Sequence, residues 1–229
     1  MDSLPQLRFS RFLHRWKAPG GEAPVSLTDM SGKRQSFYRC RDETIFVKVP
    51  TSLFPVYDVP AYWMDDICKE DTVLDIGANM GAFCIRAARI SRSVVAVEPV
   101  TVDLLQENTR LNCVEVKVIA AALGDGRPSR IQWGTRSVYS KTCPLQELIT
   151  LAGGCDFLKC DCEGAEWFID PADLTGIRRI EMELHQPPIG PLPNPRLLEY
   201  LGQHFAFILD RIPTHSPLGQ LGILHAWRR

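Results

Sequence analysis

The chain has 229 residues and a formal net charge of −1, with 45% hydrophobic and 23% charged residues. This length allows one α/β domain with a short extension, or two small domains. The near-zero net charge excludes an overall basic field that would attract nucleic acid or an anionic membrane.

Residues 1–70 are predicted to form an N-terminal extension. Residues 8–17 mix basic and apolar side chains, which favours a helix packed on the domain with a solvated basic face. A surface helix that contacts a membrane or an RNA is the alternative. We expect no signal peptide, because Asp2 and Pro5 stand where a basic and then an apolar run would be needed.

No apolar run in the sequence reaches membrane-spanning length. The chain has eight cysteines, none of them in Cys-x-x-Cys spacing, and a chain of this length does not need disulfides to fold. We therefore expect reduced cysteines and a cytoplasmic protein.

The rest of the extension contains two predicted strands, Ser36–Tyr38 and Thr44–Val49. An aromatic-rich loop over residues 54–60 follows, and then a predicted helix around Ala61–Lys69. This loop and helix either line or cover a pocket of the following domain, or they brace it. The sequence does not decide between these alternatives.

From residue 72 onwards, buried strands alternate with helices, which indicates a parallel sheet with helices on both faces. The predicted strands are residues 73–76, Ser93–Val97, Val116–Ala122, Phe157–Cys160, Arg179–Leu184, Phe205–Leu209 and Gly222–Trp227, with a short extra strand at Ser129–Trp133. The predicted helices begin after Gly81, at Val102, at Pro144, at Glu163 and at Arg196. The last two strands have no helix between them, so we expect them to pair antiparallel at the sheet edge.

The first strand runs into a turn with Gly77 and Gly81 and then a helix. Such a turn directs backbone N–H groups and a helix N-terminus at a nucleotide-like ligand. Asn79 stands where a dinucleotide loop needs its second glycine, which disfavours NAD and FAD. Asp75 disfavours phosphate and suits a ligand with an amino group, although it can also be a plain helix-capping acid.

Acidic or histidine side chains follow each predicted parallel strand, which suggests a shared pocket because ligands bind at the carboxyl ends of such strands. Glu98 ends the second strand. Its two oxygens suit the two hydroxyls of an unphosphorylated ribose. The alternative is a helix-capping acid, which is disfavoured because Pro99 follows directly.

Four segments together resemble the FkbM family of S-adenosylmethionine-dependent methyltransferases. They are Val73-Leu-Asp-Ile-Gly-Ala-Asn-Met-Gly81, Val97-Glu98-Pro99, Ala122-Leu-Gly-Asp125 and Phe157-Leu-Lys-Cys-Asp-Cys-Glu-Gly-Ala-Glu166. The Lys-x-Asp-x-Glu-Gly-x-Glu pattern in the last segment is the most specific. The resemblance covers roughly Asp71 to His185. It implies a Rossmann-like class I methyltransferase with a seven-stranded, mostly parallel sheet that contains one antiparallel strand.

The resemblance also implies S-adenosyl-L-methionine as the cofactor and assigns residues to it. Gly77, Asn79 and Gly81 would pass under its methionine and ribose, Asp75 would serve its amino group, and Glu98 would hold the ribose hydroxyls. Leu123 and Asp125 would lie beside the adenine, and Asp161 near the sulfonium and the acceptor.

The expected reaction is methylation of a hydroxyl oxygen on a small molecule or glycan, with positioning and proton removal as the tasks of the enzyme. The candidate catalytic residues are Asp161, Glu163, Glu166 and His185. His185 suits a base at neutral pH, or is a strand-end histidine bonded to a backbone carbonyl. The alternatives are methylation of RNA or protein, and a scaffold that binds the cofactor without catalysis.

Metal binding is a minor alternative. Asp161, Glu163, Glu183 and His185 have the residue types for a divalent ion that orients a diol, but they lack a diagnostic spacing, so no metal ligand is predicted. Cysteines 155, 160 and 162 are interpreted as packing residues rather than zinc ligands. Lys159 lies in an apolar strand and is expected to pair with one of the acids.

Overall fold

A computed structural model of the chain describes residues 25–28, 34–40, 42–47, 62–133, 135–210 and 219–229. The basic segment over residues 8–17 and the aromatic-rich loop over residues 54–60 lie outside the described residues. The predictions made for those two segments therefore stay predictions.

The described residues form fourteen strands. They are β1 (Val25–Thr28), β2 (Arg34–Arg39), β3 (Ile45–Val47), β4 (Thr72–Ile76), β5 (Ser93–Val97), β6 (Lys117–Ile119), β7 (Ala122–Leu123), β8 (Ser129–Trp133), β9 (Arg136–Ser140), β10 (Thr142–Cys143), β11 (Phe157–Cys160), β12 (Arg179–His185), β13 (Phe205–Asp210) and β14 (Gln220–Arg228). The α-helices are α1 (Ala82–Ala87), α2 (Val102–Leu111), α3 (Leu145–Ala152) and α4 (Pro195–His204), and two short 3-10 helices span Ala165–Phe168 and Pro171–Leu174.

The main sheet has seven strands in the order β13-β14-β12-β11-β4-β5-β6. Its strands pair in parallel, except that β14 runs antiparallel to both β12 and β13. This confirms the predicted seven-stranded, mostly parallel sheet with one antiparallel strand. β14 lies inside the sheet rather than at its edge, and β13 forms the edge.

Side chains along each strand point alternately to the two faces of the sheet, and helices pack on both faces. On one face, Leu74 and Ile76 of β4 belong to the same apolar cluster as the inward side of α3 and α4. On the other face, Val73 belongs to a cluster with the buried residues of α1 and with Leu105 of α2. Asp75 is on the same face as Val73, which places a carboxylate beneath the first turn of α1.

Strand β3 attaches the extension to the main domain. The backbone N–H groups of Ile45 and Val47 donate to the side-chain oxygens of Asn112 and Asn108 at 2.9 and 2.8 Å. Phe46 is fully buried in the cluster beneath α1 and α2. β3 also completes a three-stranded antiparallel sheet with β1 and β2.

The prediction of a helix around Ala61–Lys69 is wrong, because residues 62–70 form bends and turns. Some backbone groups of this segment bond to side chains of the main domain, and the N–H of Ile67 donates to the Met64 carbonyl in a single turn. The N–H of Trp63 donates to Glu181 at 2.9 Å, and the N–H of Cys68 donates to Asp71 at 2.6 Å.

Three further predictions need correction. The strand predicted over Val116–Ala122 is divided into β6 and β7, and β7 leaves the main sheet to pair with β10. The helix predicted from Glu163 begins only at Ala165, because Glu163 and Gly164 have φ angles of +55° and +98°. The spacing of Leu145, Leu148 and Leu151 in the helix from Pro144 predicts that all three are buried, but Leu151 is 43% exposed.

None of the helices in the described part of the chain combines the length and the apolar character needed to cross a bilayer.

Candidate functional site

A cavity of about 410 Å³ opens where β4, β5 and β11 end. The turn after β4, the end of β5, strand β7 and the segment after β11 all contribute to its wall. Of the residues proposed from the sequence, Gly77, Asn79, Glu98, Leu123, Asp161 and Glu163 line it. The volume falls within the range of small-molecule sites in proteins.

Gly77 lies where the end of β4 contacts the end of β11, and this contact leaves no room for a side chain. Its φ is +73°, and a Cβ added there would lie 1.7 Å from the carbonyl oxygen of Asp161. A Cβ on Gly81, where φ is +94°, would lie 2.8 Å from Leu105 and 2.9 Å from Ile85. Close packing therefore requires glycine at both positions, in addition to the turn. Of the two glycines, only Gly77 lines the cavity.

Glu98 is fixed at the cavity by three backbone donors. One carboxylate oxygen accepts from the N–H of Asn79 at 2.9 Å, and the other accepts from Val100 at 2.6 Å and Thr101 at 2.9 Å. Glu98 thus does bond to the turn that leads into α2, which the following proline was expected to disfavour. A carboxylate has about four acceptor positions, so some capacity remains for a ligand.

Asp75 lies beneath the cavity rather than in its wall. It is fully buried, accepts from the N–H of Cys84 at 3.1 Å and lies 3.1 Å from the Lys159 ammonium. Lys159 also donates to the Gly77 carbonyl at 2.9 Å and is 4.0 Å from Asp161. Burial by itself lowers the pKa of Lys159, but the charges of Asp75 and Asp161 outweigh it and raise the pKa above its ordinary value.

The wall formed by β7 and β8 differs from the prediction. Leu123 lines the cavity, whereas Asp125 is exposed outside it and accepts from the N–H of Arg127 at 3.0 Å. Ile131 and Trp133 of β8 line the cavity and were missed. Their alternation with exposed neighbours is the pattern of a half-buried strand, and that pattern was the available signal.

Tyr62, another residue that the sequence reasoning missed, joins two carboxylates at one end of the cavity. Its hydroxyl lies 2.8 Å from Asp161 and 3.1 Å from Glu183. The other oxygen of Glu183 accepts from the Gln220 amide at 2.6 Å. Burial and the neighbouring charge of Asp161 raise the pKa of Glu183 to about 8. Burial, with the charges of both acids, also raises the pKa of Tyr62 well above its ordinary value.

Glu166 and His185 form a buried pair beside this acidic end. One oxygen of Glu166 accepts from the His185 backbone N–H at 2.7 Å and lies 3.1 Å from His185 Nδ1. The partner of the ring is therefore a carboxylate, not a backbone carbonyl. Burial would lower the pKa of His185, but Glu166 and then the charges of Glu183 and Asp161 outweigh it and raise the pKa to about 9.

The four candidate catalytic residues are thus neighbours with different exposures. Asp161 and Glu163 line the cavity, whereas Glu166 and His185 are fully buried behind them. Burial, followed by the charge of Asp161, raises the pKa of Glu163. This arrangement brings two cavity-facing carboxylates next to a histidine that a third carboxylate holds in place.

All eight cysteines are free. The sulfur atoms of Cys160 and Cys162 lie 3.4 Å apart. Both residues pack in or against the larger apolar cluster, together with Cys155. This is the packing role that their apolar neighbours predicted.

No protein-family model matches the sequence, and no curated protein matches it. Among solved structures, TYW2 of M. jannaschii in complex with AdoMet superposes with a TM-score of 0.50, at 15% identity, over 91% of this chain and 94% of its own. The tRNA m1G37 methyltransferase of M. jannaschii gives 0.50 at 13% identity over 85% of this chain, which spans 57% of that protein. An rRNA methylase from Streptococcus thermophilus gives 0.49 at 11% identity over 79% of this chain and 97% of its own.

At these identities the similarity establishes the fold and nothing finer. The chain has the Rossmann-like fold of the two structures that superpose with a TM-score of 0.50, and its seven-stranded sheet confirms the predicted fold class.

Proposed function

We propose that the chain is an S-adenosylmethionine-dependent methyltransferase that methylates a hydroxyl oxygen on a small molecule or glycan. The observation that supports this most directly is Glu98, a carboxylate at the end of β5 that lines the cavity and is fixed by three backbone N–H groups. A carboxylate in this position accepts ribose hydroxyls and repels phosphate. The FkbM-like character suggested by the motifs is part of the same proposal.

The residues around Glu98 fit this cofactor. Gly77 and Asn79 form the wall that would face the methionine and ribose, and Leu123 contributes an apolar surface for the adenine. Asp75 is buried beneath this wall and paired with Lys159, so we propose that it serves the amino group indirectly, by holding the ammonium that donates to the Gly77 carbonyl. The exposed Asp125 and the packed Gly81 are proposed to contribute without lining the cavity.

When bound, the cofactor supplies a methyl group that its sulfonium has already activated. The chain then has to position an acceptor oxygen and remove its proton. Asp161 and Glu163 are the candidate bases that face the cavity. Glu166 and His185 lie behind them and are proposed to hold the geometry of this end and to balance its charge.

The charges at the cavity favour a hydroxyl on a small molecule or glycan over one on RNA. Asp161 and Glu163 line the cavity, and Glu183 lies beside them, joined to Asp161 through the Tyr62 hydroxyl. Several carboxylates at one end of a cavity repel phosphates, which are the main source of affinity for a nucleic-acid backbone.

Calorimetric titration with S-adenosylmethionine and S-adenosylhomocysteine tests the cofactor. We expect both to bind at one site per chain. Transfer of a labelled methyl group to panels of sugars, polyketides, protein and RNA then tests the acceptor. If neither S-adenosylmethionine nor S-adenosylhomocysteine binds, the proposed function is contradicted. If only RNA is labelled, the proposed acceptor class is contradicted.

A further inference from the structure

Three side chains converge beside the cavity from the ends of two neighbouring strands. Asp161 follows β11, and Glu183 and His185 end β12. One ligand atom from each lies within 4.8 Å of the other two. The imidazole Nε2 of His185 is 3.9 Å from a Glu183 oxygen. Their spacing in the sequence does not reveal this cluster, because pairing of β11 with β12 creates it.

The His185 ring faces this cluster with its Nε2 atom, which makes no hydrogen bond to a described residue. His185 is fully buried. The other nitrogen, Nδ1, lies 3.1 Å from Glu166. Histidines that bind metals usually donate the hydrogen of their other nitrogen to a carboxylate, which orients the ring. Glu166 occupies that position here.

The cluster also has more acids than cations within reach. Glu163 and Glu183 lie 3.7 and 3.9 Å from His185 Nε2. Asp161 and Glu183 both lie within hydrogen-bonding distance of the Tyr62 hydroxyl. In the described part of the chain the nearby ammonium belongs to Lys159, which is closer to Asp75 than to Asp161. Partly buried carboxylates need a counter-charge, and a bound cation supplies one.

We propose that Asp161, Glu183 and His185 bind one divalent first-row transition metal ion. Two carboxylates suit Mn²⁺, and an imidazole nitrogen favours transition metals over Ca²⁺ and Mg²⁺, which prefer oxygen ligands alone. Donor atoms about 2.1 Å from an ion are at most about 4.2 Å apart, so the side chains need to close in only slightly. The ion takes the place of the proton on Nε2, because a ligating imidazole is neutral.

The role of the ion rests on the proposed methyltransferase function. Asp161 lines the cavity, so the ion would lie at its acidic end and bind the acceptor hydroxyl, favouring acceptors with two adjacent oxygens. A bound ion lowers the pKa of that hydroxyl. The hydroxyl proton passes to the Glu163 carboxylate, the oxygen forms a bond to the methyl carbon, and the carbon–sulfur bond breaks with its electron pair going to sulfur.

Titration of the chelator-treated full chain with Mn²⁺, followed by electron paramagnetic resonance, tests the metal site, with Zn²⁺ followed by calorimetry as a second probe. We expect one equivalent to bind. Asp161→Asn and His185→Gln should each weaken the affinity at least about 10-fold. The matched controls are Asp125→Asn and His204→Gln, an acid and a histidine that are both exposed and outside the cluster.

Circular dichroism and thermal melting identify any variant that fails to fold, and Asp161→Asn, at a partly exposed residue, provides a second variant if His185→Gln is unstable. Failure of the wild-type chain to bind either ion would overturn the proposal, as would folded variants that bind like the wild type. The cofactor titration separates the two proposals: cofactor binding without metal binding rejects the metal site alone, and metal binding without cofactor binding rejects the methyltransferase function.

Discussion

The backbone of Gly77 lies directly against the carbonyl oxygen of Asp161, so that a Cβ on Gly77 would be 1.7 Å from that oxygen. This contact joins the end of β4 to the end of β11. It brings the loop that would face the cofactor next to the acids that would face the acceptor. Two halves of the proposed site are therefore held together by a position that only glycine fits.

Gly77→Ala should destabilise the chain by about 2–5 kcal/mol, because it adds overpacking to a left-handed backbone conformation. Gly153→Ala is the matched control. Its φ is +83°, but nothing lies within 4 Å of the added Cβ, so only the backbone cost of about 1–2 kcal/mol applies. Urea denaturation measures both, and equal losses of stability would contradict the packing argument.

Glu98→Ala should weaken the binding of S-adenosylmethionine at least about 10-fold, since hydrogen bonds to a charged group are worth roughly 1.5–3 kcal/mol. It also removes the acceptor for the N–H groups of Asn79, Val100 and Thr101. Glu115→Ala is the control, because Glu115 is exposed and does not line the cavity, and it should leave the affinity unchanged. Calorimetry gives both values, and full affinity in Glu98→Ala would remove the ribose assignment.

Lys159→Met should lower the free energy of unfolding by about 3–5 kcal/mol, because it leaves Asp75 as an uncompensated buried carboxylate. Adding Asp75→Asn to that variant removes the charge, so the double variant should recover part of the loss. The exposed pair Lys141 and Glu147, 2.6 Å apart, is the control, and Lys141→Met should lower the stability far less than Lys159→Met does, because solvent screens an exposed ion pair. Additive losses in the double-mutant cycle would show that the buried pair is not coupled.

The sheet could be predicted from the sequence because its central strands are buried on both faces. Their apolar runs, such as Phe157–Cys160, have clear limits, and the residue after each run lies at the carboxyl end of a strand. That logic found Glu98 and Asp161. It could not show that Asp75 is covered by Lys159, since burial of a strand-end carboxylate depends on which side chain the neighbouring strand supplies.

Contacts between distant segments could not be predicted from the sequence. Tyr62 and Asp161 are 99 positions apart, and Tyr62 belongs to a segment that was wrongly predicted to be helical. The opposed roles of Glu163 and Glu166, one facing the cavity and the other beneath His185, depend on the left-handed turn at residues 163 and 164. A helix starting at Glu163 would have placed these side chains differently.

Tyr62→Phe tests whether the Tyr62 hydroxyl positions the acidic end of the cavity. The variant keeps the ring, which packs edge-on against Phe83 with centroids 6.1 Å apart, but it loses the hydroxyl that lies between Asp161 and Glu183. We expect kcat for methyl transfer to fall about 10-fold, since a hydrogen bond to a charged group is worth roughly 1.5–3 kcal/mol.

The affinity for S-adenosylmethionine should stay the same, because Tyr62 has no contact with Glu98 or Asn79 among the contacts described. Steady-state kinetics and calorimetry separate the two quantities, and Tyr139→Phe, at a residue that is 78% exposed, is the matched control. An unchanged kcat would show that the hydroxyl has no part in positioning. A loss of cofactor affinity as large as that of Glu98→Ala would instead assign Tyr62 to the cofactor half of the site.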